Sequence, residues 1–313
     1  MGPMAEAALR IRLGGYAPPD SVHTQAARFF KEAVEREAGG AVAVDVFHNV
    51  LDFGYSFGDL LEMVRAGVLT CGYASTAYLA EAAPALGAFD LPFLFADRAA
   101  AHAAMDGALG DLLAEAADAR LGLAGLGYWE NGFRHVTSRR GPVASLADLA
   151  GLRIRIQPNA IHRRTFELLG AVPVPTDLED LLPAIAEGRV DAHENPLENI
   201  HTYGIHRHHP FVSLTGHVYG VRGLYANAAA LRGYPRDVQD LLRRAGRATA
   251  LHQRPLAAAK DADMAAVLRG EGVQIHQPET AFLAACRSRV APILEEAARW
   301  VGPEAAAVLA RLI

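Results

Sequence analysis

The sequence predicts an α/β protein whose parallel sheet carries helices on both faces. Two observations predict it: strand and helix patterns alternate from the first residues onward, and the same alternation returns in the second half. The 313 residues favour two domains over one.

In "ALRIRLGG", Leu9, Ile11 and Leu13 alternate with Arg10 and Arg12, the period of a strand, which ends at Gly14-Gly15. After the polar turn "APPDS", Ala27, Phe30, Val34 and Ala38 recur at helical spacing, with Asp20 or Ser21 as N-cap and Gly39 as the stop. "AVAVDVF" reads as a strand, "SFGDLLEMVRAG" as a helix and "VLTCGYAS" as a third strand. Further on, "LGLAGLGYW" is a buried strand leading to a turn at Asn131-Gly132. "SLADLAG" is a short capped helix, "LRIRIQP" a strand, "AIHRRTFELLG" a helix stopped by Gly170, and "AVPVP" an extended segment. In "TDLEDLLPAIAEG", Thr176 and Glu179 match a capping box, and Gly188 ends that helix before the strand "RVDAH". From Tyr234 the chain is Ala-rich and helical. No low-complexity linker divides the halves, so two α/β lobes joined by several strand crossings fit best.

Lys and Arg number 30 against 35 Asp and Glu, a formal charge of -5, which argues against a nucleic-acid partner. No apolar run is long enough for a membrane span. The start "MGPMAEAALRIRLGG" has neither a basic n-region nor an apolar h-region, and the expectation is that an export signal has been trimmed. Cys71 and Cys286 lie far apart without a CxxC partner and are expected to be buried free thiols.

Ligands of open parallel sheets bind beyond the carboxyl ends of the strands, which directs attention to the segments just after each strand. In "VDAHENPLENIHTYG", His193-Glu194 begins like H-E-x-x-H, but the second histidine is missing and Pro196 would interrupt the helix, so a zinc helix is excluded. Asn195 either offers an amide donor to a ligand or caps the helix that follows; the spacing supports both equally. "HRHHP", His206 to Pro210, is the densest histidine cluster and is expected to be a solvated turn rather than a metal site. In "LRIRIQP", Arg153, Arg155 and Gln157 share one face, and Arg155 is the arginine nearer the carboxyl end, where it can grip a carboxylate through two parallel hydrogen bonds or form a surface ion pair. Arg134 follows another strand end, and two such arginines suggest an anion. Tyr16, Phe53, Tyr55, Tyr73, Trp129 and Phe133 crowd the same ends; most should be core, and a few could wall an organic acid. Glu179 and Asp180 read as the solvated side of a helix. There is no G-x-S-x-G elbow, Walker A or G-x-G-x-x-G, and no cofactor is expected.

Five segments, in order and in register, are "FDLPFLFADRAAAHAAMDGALGDLL" (Phe89 to Leu113), "GYWENGFRHVTS" (Gly127 to Ser138), "LADLAGLRIRIQPN" (Leu146 to Asn159), "ELLGAVPVP" (Glu167 to Pro175) and "EGRVDAHENPLENI" (Glu187 to Ile200). With them the chain resembles the solute-binding proteins of TRAP-type transporters, the dicarboxylate-binding-protein (DctP) family. The resemblance implies a two-lobed, periplasmic-binding-protein-like α/β fold with a hinge and a long helix spanning both lobes. Residues 1–131 plus 221–260 would form lobe I, and 132–220 plus 261–313 lobe II. It implies a monomeric periplasmic protein that captures a small organic acid between its lobes and delivers it to integral-membrane subunits, without enzymatic turnover. Arg155 matches the family's signature arginine and would pair with the solute carboxylate; Arg134 and Asn195 would add donors. The pocket positions of the first lobe fall near Tyr16 and Ser75, with Phe53 and Trp129 as aromatic wall, and a further one falls near Asp177. His193 stands where the family usually has Gln, and Asp177 where it often has an aromatic or apolar residue. An acid at 177 facing the ligand would favour a hydroxyl, amine or ring N–H and disfavour a second carboxylate. A sensor reporting to a receptor and an enzyme using His193, Glu194 or Asp177 as acid or base are the alternatives.

Overall fold

The computed structural model describes residues 9–312. The segment on which the trimmed-signal expectation mainly rests, residues 1–8, lies outside the described residues. Among the described residues nine strands alternate with helices: β1 (Leu9–Gly14), β2 (Val42–Phe47), β3 (Cys71–Ser75), β4 (Leu123–Ser138), β5 (Arg153–Ile156), β6 (Val172–Pro175), β7 (Ala192–Asn195), β8 (Phe211–Asn227) and β9 (Gln274–His276).

The chain forms two compact units. The first comprises the chain up to Ala74, Ala114–Trp129 and Arg222–Leu256; the second comprises Ser75–Leu113, Glu130–Val221 and the chain from Ala257 onward. Residues 75–113, expected in the first lobe, thus belong to the second unit. The long strands β4 and β8 and the helix Arg236–Gly270 each contribute residues to both units.

In the first unit the strand order is β2-β1-β3-β8-β4, and β1 pairs in parallel with β2 and β3. The helix Val22–Ala38 begins at Ser21, whose side chain accepts from the Thr24 N–H, and stops at Gly39 with φ 57. The helix Phe57–Arg65 opens with a reciprocal capping box between Ser56 and Asp59. Ile11, Leu13, Phe30, Val34, Leu60, Val64 and Tyr73 close the core. A Cβ at Gly246 would lie 2.3 Å from the Leu126 carbonyl oxygen, so only glycine lets the long helix lie against β4 there.

In the second unit the order is β8-β4-β7-β5-β6, with β9 on β8. β5 runs parallel to β6 and β7, but β4 and β7 are antiparallel, so the sheet is mixed rather than parallel throughout. Its core includes Leu181, Ile185, Val190, Ile200, Val212, Met264 and Leu268.

Two local expectations need correction. The Asn131-Gly132 turn does not form; Gly132 takes φ 100 inside β4 and absorbs the distortion without ending the strand. The Thr176/Glu179 capping box is also absent. That helix starts at Leu181, which places Pro183 in its first turn, where a missing N–H costs nothing; Glu179 and Asp180 are exposed but precede the helix. Cys71 and Cys286 are both free and buried, as expected, and burial pushes their thiol pKa values up to about 12 and about 11.

Candidate functional site

The densest group of expected site residues lies in the second unit, at the carboxyl end of β5. There the chain leaving β3 makes a short 3-10 turn, Thr76–Tyr78, which side chains from β5 and the loop after it fasten in place. Gln157 Nε2 donates to Ser75 Oγ at 3.4 Å, Arg155 Nη2 to Tyr78 Oη at 3.3 Å, and Asn159 Nδ2 to the Ala77 carbonyl at 3.1 Å. These bonds tie residues 75–78 to this unit.

Arg155 is 1% exposed. Its Nη2 also donates to the Thr176 carbonyl at 2.5 Å, while its Nε is buried with no acceptor. Among the described residues no carboxylate pairs with it. A guanidinium keeps its charge at any ordinary pH, and burying one without a counter-charge costs several kcal/mol. The arrangement therefore invites an anion.

Arg134 is equally buried but differently employed. Its Nε bonds Glu194 Oε2, and its Nη2 donates to Glu194 Oε1 at 2.7 Å and to the Glu194 carbonyl at 2.8 Å. Burial would push the Glu194 carboxyl up, but Arg134, with His217 Nε2 at 3.4 Å, holds it well below the usual range. Burial likewise lowers the Arg134 pKa, and Glu194 more than restores it. Register separates the two arginines: Arg155 pairs with His193 across β5 and β7, whereas Arg134 shares the opposite face with Glu194.

His193, fully buried beside Arg155, has its pKa driven far down by burial and then by that guanidinium, so it is a neutral imidazole. Its Nε2 lies 3.3 Å from Asn195 Nδ2, and its Nδ1 is buried without a partner. Asn195 does not cap the next helix. It lies within β7, and its Oδ1 accepts from Asn199 Nδ2 at 2.9 Å, while Pro196 occupies the N-cap position of the helix Leu197–Thr202. Asp177 is exposed, one residue beyond Thr176, which receives Arg155.

The other expected residues belong to the first unit. Tyr16 is 3% exposed, and the buried Arg222 lies over its ring at 4.9 Å from the centroid. Trp129 is packed against Tyr73 at 5.0 Å and against His23 at 6.4 Å, as a core residue would be. Phe53 is 68% exposed, at the end of the turn Val50–Phe53.

Sequence reasoning missed Tyr78, Gln157 and Arg222 as members of these groups. The alternation in "LRIRIQP" puts Gln157 on the face of Arg155, which was the available signal for it; nothing local marks Tyr78 or Arg222. The "HRHHP" cluster was expected to be solvated, yet His206 and His209 are buried, while Arg207, His208 and Pro210 are exposed. Packing beneath the turn, with Ile205 fully buried beside them, accounts for the difference.

The profile of bacterial extracellular solute-binding protein family 7 (DctP) matches residues 13–299. The chain belongs to that family. Its members capture solutes outside the cytoplasm for a TRAP transporter and are not enzymes, so the two-lobed fold and the binding role expected from the sequence hold. The 2,3-diketo-L-gulonate-binding periplasmic protein YiaO of Escherichia coli (strain K12) is 29% identical over 259 residues, 82% of this chain and 77% of its own. The crystal structure of the sugar acid binding protein DctPAm from Advenella mimigardefordensis, in complex with galactonate, is 30% identical and superposes with a TM-score of 0.91 over 97% of each chain. A TRAP periplasmic solute binding protein from Polaromonas sp. JS666 bound to D-erythronate is 28% identical, with a TM-score of 0.89 over 96% of this chain and 98% of that one. No helix among the described residues is long and apolar enough to cross a membrane.

Proposed function

We propose that this family member binds a hydroxylated monocarboxylate of the sugar-acid class, with Arg155 as the carboxylate anchor. The observation that carries the reading is the buried Arg155 guanidinium, which has an orphaned Nε and no carboxylate partner among the described residues. Two parallel N–H donors suit one carboxylate, and hydrogen bonds to charged groups contribute about 1.5–3 kcal/mol each. The groups around it are neutral: Ser75, Gln157, His193 and Asn195 offer hydroxyl, amide and imidazole partners to hydroxyls rather than a second cation. Asp177, if turned to the solute, disfavours a second acid further. Relatives bound to galactonate and D-erythronate are consistent with that class. Arg134 holds its Glu194 partner and has Nη1 left to donate. For the first unit, Tyr16 and Phe53 keep the wall role that the resemblance implies, with Arg222 stacked on Tyr16, whereas Trp129 is taken up by the core. The protein acts as a monomer in the periplasm and presents its solute to TRAP membrane subunits. The reading is tested by thermal-shift and calorimetric screening against galactonate, erythronate and succinate. The hydroxylated monocarboxylates should raise the melting temperature; a response confined to succinate would overturn the proposed class.

A further inference from the structure

A second constellation lies in the second unit, outside the residues assigned to solute capture. His201 lies in the last turn of the helix Leu197–Thr202, His206 lies in the short turn Ile205–Arg207, and Glu271 follows the last turn of the helix Arg236–Gly270. Their ligand atoms all lie within 4.8 Å of one another. Each oxygen of one carboxylate faces one imidazole: His201 Nε2 is 3.1 Å from Glu271 Oε1, and His206 Nε2 is 2.9 Å from Glu271 Oε2. The two rings are stacked, with centroids 5.1 Å apart and planes 9° from parallel.

His206 gives the arrangement its meaning. Its Nδ1 lies 3.2 Å from the Ile200 carbonyl oxygen, which can only accept. A neutral imidazole carries one N–H, so the carbonyl takes it and Nε2 turns a lone pair toward a carboxylate oxygen. Two acceptors then face each other at 2.9 Å, a contact that a second ring proton or a metal cation between them makes favourable. A histidine whose Nδ1–H is held by a carbonyl, leaving Nε2 to coordinate, is the usual orientation of a metal-bound imidazole. Two histidines and one carboxylate with the outer side open make a three-ligand set of the kind that zinc accepts, with water or a small anion completing the tetrahedron. Bonds of about 2.0–2.1 Å at tetrahedral angles need donors roughly 3.3 Å apart, close to the two separations observed.

We propose that His201, His206 and Glu271 bind one divalent transition-metal ion of the zinc type. The ion ties the end of the long helix to the segment that leaves β7. The exposed Arg207 and His208 flank the trio without belonging to it.

The test uses the full chain without an affinity tag, stripped with chelator and titrated calorimetrically with zinc chloride at neutral pH. One equivalent should bind and raise the melting temperature, and chelator should reverse both effects. Glu271→Gln and His201→Ala, at side chains that are not fully buried, should each weaken zinc binding at least about tenfold while leaving sugar-acid binding unchanged. His206→Gln should do the same, with circular dichroism confirming the fold. His208→Ala should have no effect. Absence of zinc binding to the native chain, or binding that survives Glu271→Gln and His201→Ala or disappears with His208→Ala, would overturn the assignment. Sugar-acid binding is read in the same samples, so failure of the zinc site and failure of the solute reading are separable.

Discussion

Arg134 and Arg155 are both 1% exposed, lie on β4 and β5 with β7 between them, and were expected to do the same work. Their surroundings differ in one respect. Arg134 is neutralised from within by Glu194, which occupies two of its nitrogens, while among the described residues Arg155 donates to a carbonyl and a hydroxyl and pairs with no carboxylate. Identical chemistry at identical burial therefore meets two different surroundings: one guanidinium is held by a carboxylate of its own chain, the other, in the function proposed above, takes its carboxylate from the solute. On that proposal the counter-charge, and not the depth, marks the anchor.

That contrast can be broken most sharply by Arg155→Met. Removing two or three charged hydrogen bonds should cost roughly a hundredfold to ten-thousandfold in solute affinity by calorimetry. Denaturant melts of the unliganded protein should show no loss of stability, because a buried charge without a partner is gone. Arg134→Met should reverse the pattern and destabilise the fold by about 3–5 kcal/mol through the stranded Glu194. Equal stability losses in the two variants would erase the distinction.

Acid should sharpen it next. Burial, reinforced by neighbouring His217 and Arg98, lowers the His135 pKa to about 3; burial and Arg139 lower that of His209 to about 4, and His193 is also depressed. Unfolded histidines titrate near pH 6.5, so below that pH the unfolded chain takes up protons the folded one refuses. Stability is then fully present above about pH 6.5 and falls as the pH drops. The slope is about 1.4 kcal/mol per pH unit for each such histidine, until His209 titrates near 4 and His135 near 3. Chemical denaturation across this range should show the slope, and His193→Gln should flatten it. The smallest effect belongs to Ser75→Ala, which removes one neutral partner and should weaken a hydroxylated acid by about 0.5–1.5 kcal/mol.

Much of this was legible in the chain. Ser21, Gly39, Ser56 and Ser145 act as the punctuation they spell, because capping is local chemistry between residues a few positions apart. The β5 alternation likewise placed Arg155 on a polar row at a strand end. What failed was non-local. Nothing near Asn131-Gly132 announces that β4 continues through it, and nothing near Arg134 announces Glu194, sixty positions later, as its partner. The burial of His206 and the approach of Glu271 depend on the long helix ending where it does, which no window around "HRHHP" contains. The family resemblance singled out both arginines, but how each guanidinium is occupied within the protein emerges only from the packed sheet.

The two thiols add a practical consequence. Cys71 lies in the first unit and Cys286 in the second, each inside its core, and only the thiolate attacks an alkylating reagent. With both deprotonations displaced into strongly alkaline solution, modification must wait for the surrounding packing to come apart. The native chain thus carries one stopwatch per unit. Pulse labelling followed by peptide mass spectrometry would time the opening of each half separately, with and without solute, and without introducing a single foreign residue.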